Sequence, residues 1–390
     1  MSSRPLWHAR VEAAWKVRPI AWLAGLRRTG TTTLARQLPD VRYENCDLPS
    51  VQRAFADPEL AFQAMPPGTR LVLDEVHRLP DPALVLKIAA DAFPALRILA
   101  TGSSTLTASA RFRDTLTDRK RTLFFPPVLW VACRADFGIN DLDRRMLHGG
   151  FPSQLLAPSA DPEFFEEWQD SYFARDVQAL FGLRNRVAFL RLLGLVALRS
   201  GGLLDITDLA KAAGVARPTV MAHLDALEAS HAICRLSPFH GGGEREIVKA
   251  PKLYAFDTGF ICHHRGWSSL RDTDRGHLWE HLVLDHLRVF VPTTRLHFWR
   301  DKSQREIDFV IDRRGGVVDT IEAKMSPDEL SSANLTEFRR LYPLGHDHVV
   351  CPHVMTPFEK RLGDRIVQVT GLEALQGQQL AHAGPSAGPA

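Results

Sequence analysis

The sequence lacks any long apolar run and any uninterrupted apolar segment near its amino terminus. No stretch reaches about 18 apolar residues without a charge, which is the least that a membrane-spanning helix needs. Residues 1–16 carry charges and tryptophans in the region where a secretory signal peptide needs a continuous apolar segment. We therefore expect a protein that stays in the cytoplasm.

Closely spaced cysteines and a strong charge of one sign are also missing. The cysteines lie far apart, at Cys46, Cys133, Cys234, Cys262 and Cys351. Their odd number and wide spacing do not fit a zinc site, and we expect reduced thiols that mostly fill the core. The net charge of +3 does not indicate a nucleic-acid partner, because such binding depends on local basic patches rather than on the sum.

What is present is the composition of an ordinary globular protein, in a chain long enough for two or three domains. Of its 390 residues, 45% are hydrophobic and 24% are charged. Residues 19–125 alternate short apolar runs with helical patterns, which is typical of a parallel sheet covered by helices. We therefore predict an α/β fold, with a first domain over residues 1–150.

The rest of the chain divides into three further segments and a tail. Residues 151–200 are mostly helical in pattern and form a predicted connector. Over residues 201–260, apolar spacing fits two short helices joined by a turn at 213–215, which is typical of a helix-turn-helix. Residues 261–375 combine predicted strands with a helix and indicate a mixed α/β domain. Residues 376–390 lack a core-forming pattern and are predicted to be disordered.

A glycine-containing stretch after the first predicted strand carries the clearest chemical motif. It reads Gly25-Leu26-Arg27-Arg28-Thr29-Gly30-Thr31-Thr32 and opens a predicted helix. This context is typical of a phosphate-binding loop, in which glycines let the backbone N–H groups face the phosphates and Thr32 offers its hydroxyl to magnesium. The candidate nucleotide-binding residues are Gly25, Arg27, Arg28, Thr29, Gly30, Thr31, Thr32 and Thr33.

Thr31 stands where the phosphate-binding motif has a lysine. That lysine reaches the terminal phosphates, so its absence predicts weakened hydrolysis. Three interpretations are open: a naturally degenerate site that binds nucleotide without turning it over, a substitution introduced to inactivate the site, and compensation by Arg27 or Arg28. The first two are favoured.

Two further strand ends add polar groups to the predicted site. Leu71-Val72-Leu73-Asp74-Glu75 is an apolar strand ending in two carboxylates. Asp74 is predicted to hold magnesium through water or Thr32, and Glu75 to polarise the attacking water as a general base. Residues 98–100 form another apolar strand, after which Thr101 or Ser103 is a candidate sensor of the γ-phosphate. An ordinary strand-end turn is an equally good interpretation.

With these motifs the chain resembles the bacterial and archaeal AAA-superfamily ATPases that carry a conserved carboxy-terminal domain of unknown function. Further matching stretches are Asp118-Arg119, Gly149-Gly150-Phe151-Pro152, residues 249–254 and Asp257-Thr258-Gly259. The resemblance implies an AAA-type ATPase core over residues 1–150 that binds ATP and Mg²⁺ and assembles into a homo-oligomer. It also implies that Arg119 is an arginine finger or sensor, although the basic run around it is equally typical of a solvated face.

The helix-turn-helix is a candidate DNA-binding element. Arg217, Thr219 and His223 are predicted to lie on exposed early turns of its second helix, where side chains reach bases or phosphates. The segment is not basic overall, because it also contains Asp205, Asp208, Asp225 and Glu228. DNA contact and a packing or protein-interface role are therefore both open.

The carboxy-terminal segment contains a pattern that resembles the restriction-endonuclease-like core. Two neighbouring strands would bring Asp308 and Glu322 together to hold a divalent cation, while Lys324 on the same face would orient water or stabilise phosphate charge. Glu280, on a predicted helix over 278–290, matches that family's additional carboxylate. The alternative is an inactive relic or an ion pair in which Lys324 neutralises Glu322.

Beside this core, Trp299 and Arg300 are candidates for stacking on or gripping nucleic acid, with a half-buried aromatic as the alternative. The leading functional hypothesis is an ATP-binding AAA-like protein that couples nucleotide binding, with weakened hydrolysis, to a DNA-facing carboxy-terminal half. The alternatives are a metal-dependent DNA nuclease in which the nucleotide domain is a switch, and a non-enzymatic pseudo-ATPase that serves as a DNA-binding or interaction scaffold.

Overall fold

The computed structural model of the protein describes residues 4–102, 110–178, 185–241 and 249–375. Ser103 and the tail predicted to be disordered, residues 376–390, lie outside these ranges. The described chain contains a five-stranded, a six-stranded and a three-stranded sheet. Within these ranges no helix is both long and apolar enough to cross a membrane.

The first sheet is entirely parallel, as the alternating pattern predicts. Its strands are β1 (Ile20–Gly25), β2 (Arg42–Asn45), β3 (Arg70–Asp74), β4 (Arg97–Thr101) and β5 (Lys120–Phe125). They lie in the order β2-β3-β4-β1-β5. The accompanying helices are Pro5–Val17, Thr31–Gln37, Pro49–Ala54, Pro58–Gln63, Pro82–Ala92 and Ala110–Thr115.

The central strand β1 shows why this sheet needs helices on both sides. All six of its residues are buried, and successive side chains enter different apolar clusters: Ala21 and Leu23 pack in one, Trp22 and Ala24 in the other. A strand buried on both faces is expected in a parallel sheet whose crossovers are helical.

A set of short helices follows this domain and packs through aromatic rings. The helices are Trp130–Phe137, Leu142–His148, Pro152–Leu156, Phe164–Tyr172 and Arg186–Leu198, with a π-helical turn over Phe173–Gln178. Trp168 is fully buried, with ring centroids 5.8 Å from Phe151 and 4.6 Å from Phe256. Phe256 directly follows the strand Lys252–Ala255, so the connector packs against the later part of the chain.

The two helices predicted around residue 214 are present, as Ile206–Ala213 and Arg217–Ala229. Gly214, with a φ of 70°, ends the first of them in the left-handed region that glycine adopts readily. A small antiparallel sheet follows, with β6 (Gly202–Leu203), β8 (Lys252–Ala255) and β7 (Ile233–Leu236) in that order. The prediction that His223 is exposed is wrong, because its ring is buried beside Phe189 at 5.6 Å.

The carboxy-terminal domain is a mixed α/β unit. Its strands are β9 (Leu296–Arg300), β10 (Glu306–Asp312), β11 (Val318–Ala323), β12 (Asp347–Val350), β13 (Phe358–Leu362) and β14 (Arg365–Thr370), and its order is β13-β14-β12-β11-β10-β9. The helices Asp272–Phe290 and Ser332–Leu341 pack on this sheet, while the helix Thr258–Arg265 packs against Leu142–His148 and Arg186–Leu198. Trp299 is fully buried with its ring 5.4 Å from Phe338, so the prediction that it stacks on nucleic acid is wrong.

Two glycine motifs meet in a tight joint between the connector and the carboxy-terminal half. A Cβ on Gly149 would lie 2.0 Å from Oδ1 of Asp257, and one on Gly259 would lie 2.6 Å from the backbone nitrogen of Gly149. The buried Asp257 carboxylate accepts hydrogen bonds from the N–H groups of Gly150 at 2.7 Å and Phe260 at 3.2 Å. These motif residues therefore hold the two halves of the chain together.

Candidate functional site

The predicted phosphate-binding loop lies at the carboxyl ends of β1, β3 and β4, the edge at which parallel α/β sheets bind ligands. We call residues 25–33 the P-loop segment. A Cβ on Gly25 would lie 2.2 Å from the carbonyl oxygen of Phe125, so only glycine fits there. Gly30 has a φ of 96° and turns the chain into the helix Thr31–Gln37. Both glycines are therefore required by the backbone path.

A cleft of about 780 Å³ opens above the P-loop segment. The residues that line it on the P-loop side are Gly25, Leu26, Arg27, Arg28, Gly30, Thr31, Thr32 and Thr33. Glu75 and Gly102 lie on the sheet side, and the opposite wall comes from the connector through Pro152, Ser153, Gln154, Ala157, Asp161, Phe164 and Ser171. Thr29 is buried instead, where its hydroxyl donates to the carbonyl of Leu26 at 2.8 Å and braces the loop from within.

Asp74 lies at the floor of this edge with both carboxylate oxygens occupied. The Tyr43 hydroxyl donates to Oδ2 at 2.5 Å, and the Thr101 hydroxyl donates to Oδ1. Thr101 is 1% exposed and also accepts the Glu75 N–H at 3.1 Å. Thr101 therefore orients the carboxylate of Asp74 and holds the backbone of Glu75, and its predicted role as a phosphate sensor is wrong because its hydroxyl faces Asp74.

Glu75 lines the cleft in an unusual backbone conformation, with a φ of 57° in the left-handed region. Burial raises the pKa of its carboxyl, while the positive charge of Arg27 works against that rise. The ring of His77 lies 3.2 Å from Oε2 of Glu75, and burial with the charges of Arg27 and Arg78 lowers the pKa of His77 to about 4. At neutral pH this histidine is uncharged, which leaves Glu75 a partly buried carboxylate of the kind that serves as a general base.

The two arginines of the P-loop segment both contact the connector. Nε of Arg27 lies 2.6 Å from Oδ2 of Asp176, which is 2% exposed, in the π-helical turn. The guanidinium of Arg28 lies over the ring of Phe164 at 5.7 Å. Asp176 was not singled out by the sequence, because nothing local marks an acid that lies 149 positions from its partner.

Arg119 does not reach the P-loop segment of its own chain. Its guanidinium bonds the carboxylate of Asp91 at 2.6 and 3.0 Å. It precedes β5, whose first residue pairs with Ile20 at the start of β1, whereas Gly25 ends that strand. Arg119 therefore lies at the opposite edge of the sheet, and a role as an arginine finger stays a prediction for contact with a neighbouring copy.

The structure brings Asp308, Glu322, Lys324 and Glu280 to one region, as predicted. Nζ of Lys324 lies 2.6 Å from Oδ2 of Asp308 and 2.7 Å from Oε2 of Glu322. Burial and the neighbouring Asp308 charge raise the pKa of Glu322 well above its usual range. Burial opposes ionisation of Asp308 too, but the charges of Lys324 and Lys252 together hold its pKa below the usual value.

Lys252, at the start of β8, also enters this cluster. Its Nζ lies 3.1 Å from Oε1 of Glu280 and 2.5 Å from Oε1 of Glu306. The Tyr254 hydroxyl donates to Oε1 of Glu280 at 2.5 Å. Although burial acts against the charged form, the carboxylates of Glu280 and Glu306 raise the pKa of Lys252.

We call these four acids and two lysines the lysine-carboxylate cluster; its members are Lys252, Glu280, Glu306, Asp308, Glu322 and Lys324. Across the ranges that the structure describes, no group of three or more His, Cys, Asp or Glu side chains is arranged to hold a metal ion. The metal site predicted on Glu280, Asp308 and Glu322 is not formed in this arrangement, because the two ammonium groups bind the carboxylates instead.

Sequence comparisons divide the chain into three matched regions. Residues 17–131 match a family described as an AAA domain, residues 139–271 a domain of unknown function (DUF8612), and residues 275–375 a domain of unknown function (DUF4143). The chain is also similar to two curated proteins, Uncharacterized protein Rv2008c of Mycobacterium tuberculosis and Uncharacterized protein Mb2031c of Mycobacterium bovis. Each is 28% identical over 322 residues, which is 79% of this chain and 70% of the relative.

Among solved structures, the chain is similar to the Walker-type ATPase paby2304 of Pyrococcus abyssi, with a TM-score of 0.44 and 15% identity over 67% of this chain and 96% of that one. It is also similar to the RuvB Holliday junction branch migration motor of Thermotoga maritima, with a TM-score of 0.28 and 15% identity over 60% and 90% of the two chains. The family match, the parallel sheet and the P-loop segment agree, and residues 17–131 therefore form a P-loop ATPase-like core of the AAA type.

Proposed function

We propose that this protein binds ATP with Mg²⁺ in the cleft above the P-loop segment and couples that binding to a DNA-facing carboxy-terminal half. The observation that carries the proposal is the meeting of the P-loop segment, Asp74 and Glu75 at one sheet edge, with connector residues forming the facing wall of the same cleft. Bound ATP with its magnesium would supply the phosphoanhydride and the cation that offsets its charge.

The residues around the cleft fit ATP with its magnesium ion. The glycine positions would let the P-loop backbone approach the phosphates of ATP, as phosphate-binding loops require. Thr32 lines the cleft and would hold magnesium through its hydroxyl. Asp74, whose oxygens are oriented by Tyr43 and Thr101, would hold the same ion through water. Glu75 would accept the proton of the attacking water.

Positive charge in the cleft comes from arginine, because Thr31 replaces the lysine. Arg27 lines the cleft and acts on the pKa of Glu75, but its Nε is held by the buried Asp176. A terminal phosphate would share the guanidinium of Arg27 with Asp176, which reduces the positive charge available to neutralise it. We therefore infer that nucleotide binds and that turnover is slow.

The same contacts give a route for coupling. Any shift of Arg27 toward phosphate changes its ion pair with Asp176, and any shift of Arg28 changes its contact with Phe164. Both partners lie in the connector, which is fixed to the carboxy-terminal half by the joint at Gly149 and Asp257. The exposed Arg217 and half-exposed Thr219 on the helix Arg217–Ala229 support a DNA-facing role for that half.

A metal-dependent nuclease is the second candidate function. The observation that favours it is the placement of Asp308, Glu322 and Lys324 on one face of adjacent strands, with Glu280 on the neighbouring helix. Divalent metal would have to displace the ammonium group of Lys252 or Lys324 from these carboxylates, and the displaced lysine would then be free to face phosphate.

The Thr31→Lys variant tests the assignment of the nucleotide site. We expect ATP to bind to both the parent and the variant, and turnover to rise about tenfold or more in the variant, which corresponds to a barrier about 1.4 kcal/mol lower. The added ammonium supplies charge at the terminal phosphates without breaking the pair between Arg27 and Asp176. Phosphate release at saturating ATP, with and without DNA, is the measurement.

Two controls make this result specific. Leu60→Lys adds the same charge on an exposed helix of the same domain and should leave turnover unchanged. Glu75→Gln in the Thr31→Lys background should abolish the gain. ATP binding without turnover in either protein would favour the pseudo-ATPase scaffold, and a lack of binding in both would contradict the proposal.

The second candidate predicts Mn²⁺-dependent nicking of supercoiled plasmid that is lost in Asp308→Asn. Asp312→Asn, on the same strand β10 but outside the lysine-carboxylate cluster, is the matched control and should keep the activity. Nicking of equal rate in all three proteins would point to a contaminant, and no nicking by the parent protein would exclude this function.

The lysine-carboxylate cluster predicts a large loss of stability in Lys252→Met. The change leaves the partly buried Glu280 without its cation and leaves Glu306 with Arg300 alone, which costs about 3 kcal/mol at pH 7, the lower end of the cost of breaking a buried pair. Burial already raises the pKa of Glu280, so protonation should recover part of the loss as the pH falls. Urea unfolding measures both effects.

Lys211→Met is the matched control for this measurement, because Lys211 is exposed on the helix Ile206–Ala213. We expect its free energy of unfolding to change by no more than about 0.5 kcal/mol. Equal stability of the two variants would contradict the account of the lysine-carboxylate cluster.

A further inference from the structure

A second cleft, of about 840 Å³, lies where the first domain, the small antiparallel sheet and the carboxy-terminal domain meet. We call it the junction cleft. It is lined by Arg10, Lys120 and Arg121 from the first domain, Arg235 on β7, and Arg288 and Phe290 at the end of the helix Asp272–Phe290. We propose that the junction cleft binds the phosphodiester backbone of a nucleic-acid strand.

The residues that line the junction cleft are mainly positively charged. Five arginine and lysine side chains line the junction cleft, and Glu228 is the carboxylate that lines it with them. Glu228 is already engaged, because its Oε2 accepts from Nε of Arg235 at 2.8 Å. His231 and His297 also line the cleft, and burial lowers the pKa of both rings, that of His231 to about 3. The surplus of charge is therefore positive and comes from arginine and lysine.

Three of these cations lack a direct ion pair in the described part of the chain, although the charge of Arg288 acts on the pKa of the buried Asp285 carboxylate. Among the residues that the structure describes, no carboxylate forms an ion pair with Arg10, Arg121 or Arg288. The Nε atoms of Arg10 and Arg288 are buried and lack a hydrogen-bond partner. Burial and the nearby charge of Arg121 lower the pKa of Arg10 to about 10, so its guanidinium is still charged at neutral pH. Such a cluster is unfavourable by itself and is stabilised by a bound anion.

Aromatic rings hold these guanidinium groups in place. Arg288 lies over the ring of Phe124 at 4.1 Å, and Arg10 lies over Phe290 at 5.1 Å and Trp7 at 5.8 Å. These contacts restrict the movement of both guanidinium groups, and because their Nε atoms are buried, the terminal N–H groups are the donors left for an acceptor in the cleft. A planar fork of N–H donors fits phosphate oxygens in two-bond contacts.

The position of the junction cleft separates it from the nucleotide site. Lys120 and Arg121 begin β5 and pair with Ile20 and Ala21, whereas the P-loop segment follows the other end of β1. ATP bound at the P-loop segment therefore does not neutralise these cations. The junction cleft is open, and its cations come from all three parts of the chain, which suits an extended polyanion better than a single phosphate.

The inference locates the nucleic-acid contact of the proposed function, and it rests on the DNA-facing part of that proposal. It differs from the sequence-based expectation, since the helix Arg217–Ala229 exposes Arg217 beside Met221, Ala222 and Asp225, with His223 buried. A strand bound in the junction cleft would touch β5 of the ATPase-like core and β7 at once.

The test uses the full chain and fluorescence anisotropy with labelled single-stranded DNA, duplex DNA and RNA over a salt series. Arg10→Gln with Arg288→Gln should weaken binding of the preferred polymer about tenfold or more. It should also reduce the slope of log affinity against log salt by about 1.4 to 1.8, since each lost phosphate contact contributes about 0.7 to 0.9. Arg53→Gln, an exposed arginine elsewhere on the first domain, should behave like the parent.

A further variant and a parallel measurement of ATP binding distinguish loss of the nucleic-acid contact from misfolding. Arg121→Gln changes an exposed side chain and should weaken binding even if the double variant folds poorly. ATP binding, measured in parallel, should be unchanged in every variant, which separates failure here from failure at the P-loop segment. Unchanged affinity in both junction variants, a loss confined to Arg217→Gln, or competition by millimolar inorganic phosphate as strong as by the polymer would overturn the proposal.

Discussion

The structure depends on the close contact between Gly149 and Gly259, sealed by the carboxylate of Asp257. No larger side chain fits at either glycine, so the backbone of the connector lies directly against the start of the helix Thr258–Arg265. Three residues later the chain reaches Pro152 and forms the wall of the cleft that faces the P-loop segment. One joint therefore fixes both the carboxy-terminal half and the upper wall of the nucleotide cleft.

Charge compensation takes a different form in each part of the molecule. In the nucleotide cleft, Nε of Arg27 is held by Asp176, which leaves the phosphate site with an arginine whose charge is already shared. In the lysine-carboxylate cluster, Lys252 and Lys324 bind four acids and hold the small sheet and the carboxy-terminal sheet together. In the junction cleft, Arg10, Arg121 and Arg288 lack acidic partners in the described ranges. The first two arrangements pair opposite charges within the protein, and the third is the one that we propose is completed by an outside anion.

Local sequence patterns were enough to predict the elements and the loop that carry the nucleotide cleft. The strand before Gly25, the turn at Gly30 and the acids after β3 follow from patterns within a few residues, and all are present. The proximity of Asp308 and Glu322 could also be predicted, because neighbouring strands place both on one face. The two helices around Gly214 likewise follow from apolar spacing and turn chemistry.

Predictions about individual side chains failed where distant packing decides the environment. His223 and Trp299 have patterns compatible with exposure, yet the rings of Phe189 and Phe338 bury them. Thr101 ends β4 near the P-loop segment, but its hydroxyl donates a hydrogen bond to Asp74. Lys252, which the sequence did not single out as a site residue, reaches its carboxylates only through the tertiary fold. The role of Arg119 as an arginine finger stays a prediction, because Arg119 lies at the other edge of the sheet from the P-loop segment. No local pattern indicates any of these contacts.

The central claim is that nucleotide in the cleft is sensed by the connector through Arg27 and Arg28. Hydrogen exchange of the full chain, with and without Mg²⁺ and ATP, tests it most directly. The account predicts slower exchange in the P-loop segment and altered exchange over residues 152–178, where Pro152, Phe164 and Asp176 lie. Protection confined to the P-loop segment, with no change in the connector, would contradict coupling, and no change in either region would contradict nucleotide binding itself.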